Sequence, residues 1–367
     1  MEAGTAAGAE SSKKRKHQQQ PQAPSQSTNQ PKRARSAIAG NARTPLKAFA
    51  TPADVVRALR NAKHVVVLVG AGISQSCGIP DFRSPAGIYA LVENMDLGLP
   101  QAECLFDKSY FEDDPEPFYK FAHILYPETA PTPSRTHYFL RQLEVAGKLG
   151  RVYTQNIDGL EEAAGIRRAV QCHGTLSKAH CLRCRRVCKA SAFMADVRQG
   201  RVAECPRKNC DGVLKPAITF FGERVDAKVE TRLAADATKA DLLLVMGTSL
   251  QVAPMSGVPG LVPHTVPQVL INKNPVQLRE AVSGGFDVQL LGDCDAIVEE
   301  LQRAMAATND TDANGDVKIE RGSDQILKTN NLEGPRFLPL PNAIRSFALP
   351  QTEPVNHSAA VPANQTS

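Results

Sequence analysis

Apolar runs and amphipathic stretches alternate through the middle of the chain. Val65-Val66-Val67-Leu68-Val69 and Leu242-Leu243-Leu244-Val245-Met246 are unbroken. Uninterrupted aliphatic runs of this length predict strands buried on both faces, as in a parallel sheet. Val269-Leu270-Ile271 and Val288-Gln289-Leu290-Leu291 predict two further strands, and Val152-Tyr153-Thr154 and Val170-Gln171-Cys172 two shorter ones. Residues 54–62, 136–147, 227–238 and 294–306 carry apolar positions at helical spacing. Strands alternating with helices predict an α/β fold, a parallel sheet covered by helices on both faces. No internal repeat is visible.

The pattern fails in three places. Residues 180–215 are rich in Cys and Arg, which does not suit a sheet core and predicts a small inserted module. Residues 1–50 and those after about 305 have few apolar positions and many Gln, Ser, Pro, Asn or Asp, so they cannot offset the entropy of ordering and are expected to be disordered tails.

The 367 residues suffice for about two domains plus tails. No run of about 18 apolar residues predicts a membrane-spanning helix, and Met1–Lys16 lacks the apolar core of a secretory signal. The nine cysteines are therefore expected to be reduced.

Net charge needs dividing before it is used. The total is +5, but residues 1–50 hold nine Lys or Arg against two Glu, leaving 34 basic and 36 acidic residues beyond them. Basicity is thus a property of the tail. A body near −2 is not expected to bind nucleic acid through phosphate neutralisation, and no membrane partner is expected either. Within the tail, Lys13–Lys16 and Lys32-Arg33-Ala34-Arg35 flank a Gln/Pro/Ser spacer and read as a bipartite nuclear-import signal, or as a solvated basic arm.

Candidate chemistry gathers at the ends of the strands. Gly70-Ala71-Gly72-Ile73-Ser74 follows the first strand, where a glycine turn lets backbone N–H groups approach a phosphate. The third glycine of a dehydrogenase fingerprint is missing, because position 75 is Gln, and Glu93 has the spacing of the usual acid but no strand before it. Cys77–Ser84 then brings Asp81, Phe82 and Arg83 together: a carboxylate for an amide, a ring to cover a reactive carbon, a cation for a phosphate, or else a surface loop. Thr154-Gln155-Asn156-Ile157-Asp158 and His173-Gly174 end two short strands. His173 is placed as a general base if it is not merely structural. Met246-Gly247-Thr248-Ser249, Ile271-Asn272-Lys273-Asn274 and Gly292-Asp293-Cys294 end three more. Convergence of such turns on one rim points to a nucleotide site. Phe220-Phe221-Gly222-Glu223 suggests the edge of a groove for an extended peptide, or ordinary core packing.

Cys181-x₂-Cys184 and Cys205-x₄-Cys210, twenty residues apart, have the spacing of a four-thiolate zinc site, with Cys188 as a spare. Four protein ligands leave no open position, so the ion would be structural. Reduced unpaired thiols are the alternative, and an Arg-rich nucleic-acid ribbon a further one.

Taken in order and spacing, Gly70–Ser74, Gly78–Ser84, Thr154–Asp158, His173-Gly174, the paired cysteines, Phe220–Glu223 and Gly247–Ser249 resemble the sirtuin family. The resemblance covers most of 52–303 and neither tail. Pro80–Tyr89 and Leu291–Asp295 look like its class I branch. It implies a Rossmann-like NAD domain with a smaller domain made from a zinc module inserted at about 174–216 and a helical insertion at about 87–135, between a tail of 1–50 and another of 306–367. It implies an NAD-dependent protein-lysine deacetylase acting on histone tails or other acetylated proteins, in the nucleus, with the cytoplasm as a second location. NAD would be consumed, giving nicotinamide and 2'-O-acetyl-ADP-ribose, with one structural Zn²⁺ per chain. Carried over by position, His173 would be the base, and Asn156 and Asp158 would serve the nicotinamide ribose. Ile79 and Asp81 would hold the carboxamide, and Phe82 would guard the anomeric carbon. Gly70, Ala71, Gly72, Ser74, Arg83, Tyr89, Gln155, Ile157, Gly247, Thr248 and Ser249 would complete the cofactor site, with Asn272, Lys273, Asn274 and Cys294 around the adenosine. Phe220, Phe221, Gly222, Glu223 and Val252 would contact the peptide. Cys181, Cys184, Cys205 and Cys210 would hold zinc. ADP-ribosyl transfer to protein, a non-catalytic nuclear scaffold and hydride transfer are the competing functions.

Overall fold

A computed structural model describes residues 43–278 and 284–307. The basic clusters at 13–35 and all but the first two residues of the 306–367 tail lie outside them. Six strands form one parallel sheet: β1 (Val65–Val69), β2 (Leu149–Thr154), β3 (Ala169–Gln171), β7 (Leu242–Met246), β8 (Gln268–Asn272) and β9 (Val288–Leu291), in the order β3-β2-β1-β7-β8-β9. β4 (Gly174–Cys181), β5 (Val187–Lys189) and β6 (Leu214–Ile218) form a second, antiparallel sheet, β5-β4-β6.

Alternation along β1 and β7 explains why their sequences are apolar throughout. Val65, Val67, Val69, Leu242, Leu244 and Met246 pack into one core layer, with the helices Pro52–Asn61, Arg135–Val145 and Cys294–Ala306. Val66, Leu68, Leu243 and Val245 face the opposite layer with the helix Ala227–Ala237. Every residue of both strands is buried. Helix starts follow their caps. Thr51 and Asp54 form a reciprocal capping box with Pro52 at the first helical position, so that helix begins two residues before the predicted 54.

Order reverses between β1 and β7: later strands run outward one way through β2 and β3 and the other way through β8 and β9. A crevice outside the carboxyl ends is expected at such a switch point. Here two glycine turns meet across it. Gly70 N–H donates to Met246 O (3.0 Å) and Gly72 N–H to Gly247 O (2.8 Å). A Cβ on Gly72 would stand 2.6 Å from Gly247 Cα, so only glycine permits this approach.

Cys172 and His173 are the turn between β3 and β4, and so the hinge from one sheet to the other. The second sheet begins at Gly174 and ends at Ile218, wider than the Cys/Arg-rich stretch of 180–215. Leu214–Ile218, which reads in sequence as the return to the main body, pairs with β4. Pro216 is tolerated there because β6 is an edge strand. The small sheet packs on an aromatic cluster of Phe106, Phe111, Phe118, Tyr119 and Phe220 from the helical segment and the chain after β6. No helix among the described residues is long and apolar enough to cross a membrane.

Candidate active site and metal centre

A cavity of about 600 Å³ opens at the switch point. Its floor is Gly70–Gly72, Gln155–Ile157, Gly247–Ser249 and Asn272–Asn274; its walls are Asp81–Ser84 with Tyr89, His173, and Ile218–Glu223 with Val252. Residues from five strand ends and the loop after β1, far apart in sequence, are thus brought together. Ser74, Ile79, Asp158 and Cys294 stand outside the lining.

His173 is fixed by one hydrogen bond. Its Nδ1 lies 3.0 Å from Gln155 O. A carbonyl only accepts, so Nδ1 carries the proton and Nε2 is the free base. Nε2 is buried and has no partner. Burial lowers the pKa of the ring below its ordinary 6.5, the Gln155 contact opposing this in part. At neutral pH the imidazole is therefore neutral, which is the form a general base requires.

Asn156 is 7% exposed and its amide is spent inward. Nδ2 donates to Gly70 O and to Ser74 Oγ, both at 3.2 Å, and Oδ1 has no donor among the described residues. Ser74 Oγ donates in turn to Asp158 Oδ2 (2.8 Å), and Asp158 Oδ1 accepts from Leu160 N–H (2.9 Å). Asp158 and Ser74 thus act beneath the cavity by orienting Asn156. Asp81 is similarly committed: Oδ1 accepts from Arg83 N and Ser84 N, and Oδ2 from Gln75 Nε2 at 2.6 Å. Phe82 packs edge-on against Tyr89 and Phe106. Thr248 Oγ1 accepts from Gln155 Nε2 (2.9 Å) and Leu250 N–H. Cys294 is buried, with its thiol pushed up to about 12 by burial, and donates to Ile271 O.

Phe220 and Phe221 divide as core and edge, at 1% and 43% exposed. Phe221 N–H donates to Phe106 O and its carbonyl accepts from Lys108 N–H, so its backbone is already paired. The Glu223 carboxylate accepts from Phe220 N–H (2.8 Å) and Lys215 Nζ (2.9 Å), which locks the turn.

Residues that sequence reasoning did not single out are Gln75, the Asp81 partner; Phe106, Val225, Gln251 and Ala253 in the lining; and two buried titratable groups, His137 and Glu161. His137 is fully buried, with Nδ1 in a capping box with Ser134, whose Oγ donates to Ile73 O. Burial pushes its pKa down to about 4. Glu161 is 1% exposed, and burial, then the Asp158 charge, push it up to about 7, a contact with Thr154 opposing this in part. Nothing in the local sequence signals either.

These two groups act on stability with opposite sign. Between pH 4 and 6.5 the unfolded chain binds the His137 proton and the folded chain does not, so acidification destabilises. Between pH 4.5 and 7 the folded chain keeps the Glu161 proton that the unfolded chain has released, so acidification stabilises. Removing the second contribution uncovers the first. Glu161→Gln is expected to lose about 2 kcal/mol more stability than the parent between pH 7.5 and 5. Parallel urea titrations at the two pH values measure it, and equal losses in both proteins would refute it.

The paired cysteines converge at the end of the small sheet. All four sulfurs lie within 4.8 Å of one another, with Cys181 to Cys210 and Cys184 to Cys205 both 3.7 Å. Tetrahedral thiolates at the ordinary zinc distance of about 2.3 Å lie about 3.8 Å apart, so the residues fit the ion. Cys188 is buried on β5 and is not in the cluster.

A model of the Sir2 family matches residues 70–254. The chain is 40% identical over 305 residues to the fruit-fly NAD-dependent histone deacetylase sirtuin-1, covering 77% of this chain and 35% of that one. It is 45% identical over 251 residues to the human NAD-dependent protein deacetylase sirtuin-1, covering 68% and 33%. It is also 45% identical over 246 residues to the Emericella nidulans NAD-dependent protein deacetylase hst2-2, covering 65% and 67%. The chain therefore spans about a third of the length of the fly and human relatives. A solved Sir2 enzyme structure superposes with a TM-score of 0.58 at 30% identity, covering 68% of this chain and 97% of that one. A Sir2 complex with a deacetylated p53 peptide and 3'-O-acetyl ADP-ribose gives 0.58 at 28%, covering 69% and 96%.

Proposed function

Because the chain belongs to the Sir2 family, we propose that it is an NAD-dependent protein-lysine deacetylase, with residues 52–303 as its catalytic part. One observation carries the reading: His173 presents a buried, unpartnered Nε2 on a cavity wall while Nδ1 is held by a main-chain carbonyl. NAD would supply an ADP-ribosyl group that takes up the acyl group in place of nicotinamide, one water being consumed, after nicotinamide has left, to free the lysine amine. His173 Nε2 accepts the proton of a ribose hydroxyl. Asn156 offers Oδ1 to the ribose, held in place by Ser74 and Asp158. Phe82 closes the cavity against water, which would otherwise intercept the transfer. Asp81 and Ile79 serve the carboxamide, and the backbone N–H groups of the two glycine turns serve the phosphates with Thr248, Ser249 and Arg83. Asn272, Lys273 and Asn274 line the adenosine end, with Cys294 behind them. The acetylated segment lies between the Gly222 edge and Val252. The four cysteines hold one structural zinc, which keeps the small sheet folded.

Acetylated histone tails are the proposed substrates, and the name of the fly relative, a histone deacetylase, supports a nuclear role. The clusters at Lys13–Lys16 and Lys32–Arg35 would direct import.

Mass spectrometry of an acetyl-lysine peptide incubated with the protein, with and without NAD, tests the activity. One nicotinamide and one O-acetyl-ADP-ribose per lysine freed is the expected result. A peptide left acetylated refutes it, and ADP-ribose attached to protein replaces it with the transferase.

A further inference from the structure

Beside the first cavity lies a second, of about 430 Å³, which shares Ile218, Gly222 and Glu223 with it. Its chemistry is different. Lys108, His180, Lys215 and Arg224 face it against a single carboxylate, Glu223. That carboxylate is already neutralised, since Lys215 Nζ donates to it at 2.9 Å and Phe220 N–H at 2.8 Å. Lys108 makes only a loose, half-exposed pair with Glu112 (3.7 Å), and Arg224 is exposed without an ion pair among the described residues. The excess of positive charge continues onto the sheet. His180 stands opposite Lys215, and on the same face Lys178 stands directly opposite Lys189. Like charges facing across a strand pair destabilise it, and neither Lys178 nor Lys189 has an ion pair among the described residues.

We propose that this cavity and the adjoining sheet face form an exosite for a carboxylate side chain of the substrate, placed a few residues from the acylated lysine. The proposal rests on the deacetylase reading for the direction of the peptide. The backbone of Phe221 is spent on Phe106 and Lys108, and the Glu223 N–H on Phe220 O, so an extended peptide at this edge has the Gly222 backbone and the segment from the Glu223 carbonyl onward to pair with. Gly222 lines the basic cavity as well. Because the two cavities share Ile218, Gly222 and Glu223, a short extended stretch carries the chain from one to the other. A nucleic acid is the weaker occupant, because the chain beyond residue 50 has 34 basic and 36 acidic residues.

The test uses the full chain and two families of fluorescent acetyl-lysine peptides, carrying Glu or Gln at each of five positions on either side. Anisotropy without NAD reads binding, and nicotinamide release with NAD reads turnover. At one or two positions Glu is expected to bind about three- to tenfold tighter than Gln. The gain should vanish in Arg224→Gln and in Lys108→Gln with Arg224→Gln, and shrink with added salt, while turnover of the all-Gln peptide stays at the parent value. Equal binding of the two families at every position overturns the proposal. So does a preference that survives in both variants. An Arg224-dependent preference with no NAD-dependent turnover of any peptide keeps the exosite and removes the deacetylase reading; equal turnover with equal KM does the reverse.

Discussion

His173→Ala is expected to lower kcat toward an acetylated peptide by about 10²–10⁴-fold, the usual contribution of a positioned general base. The ring makes one hydrogen bond, to Gln155 O, so its loss leaves a backbone carbonyl beside the cavity. His173 O, which accepts from Thr219 N–H at 2.8 Å, is main chain and remains. Thermal unfolding and zinc content should therefore match the parent, and so should the affinity for NAD. The acid side of the parent's pH profile gives an independent reading. Burial lowers the His173 pKa, so activity should persist below pH 6.5 before the ring protonates. A variant retaining a tenth or more of parental kcat would remove the base assignment, whatever the profile shows.

Cys181→Ala is expected to abolish metal retention and unfold the small sheet selectively. The free energy of structural zinc binding by such sites is about 10–16 kcal/mol, more than a small sheet of three strands holds in its own packing. Cys181 ends β4, and Leu182 N–H donates to Val213 O beside it, so a collapsed centre releases the β4–β6 pairing. The parallel sheet has its own core layers on either side, which contain none of these cysteines. Limited proteolysis should cut within 174–218 and spare β1 and β7. Elemental analysis of the purified parent should find about one zinc per chain. A parent without zinc, or a variant with the parent's melting temperature, would overturn the metal reading.

Legibility from sequence followed the range of the interactions concerned. β1 and β7 were visible because a strand buried on both faces needs five consecutive apolar residues, a local property. The helix Cys294–Ala306 was visible to the residue, since Asp293 caps it and its apolar positions repeat at the helical period. Leu214–Ile218 was not. Lys215 and Pro216 make it look unlike a strand, and only its neighbour β4 and its place at a sheet edge allow them. The zinc spacing was legible because two short cysteine pairs are local motifs, whereas the partner of each thiol across the centre was not.

At the proposed active site the sequence determined residue types: glycines where two turns must touch, a histidine at a strand end, an amide and a carboxylate two residues apart. Those choices follow from what each side chain can do chemically. Tertiary structure decided which of these groups face the cavity and which lie beneath it. Ser74 holds Asn156 and is held in turn by Asp158, Asp81 is tied into its own loop, and Glu223 answers Lys215. It also set the protonation of His173, because burial and the Gln155 carbonyl belong to no local stretch of chain. For His173, Asn156 and Asp158 the hydrogen-bond partners Gln155, Gly70 and Ser74 come from segments 18 to 86 residues away, and no pattern within a single segment encodes them.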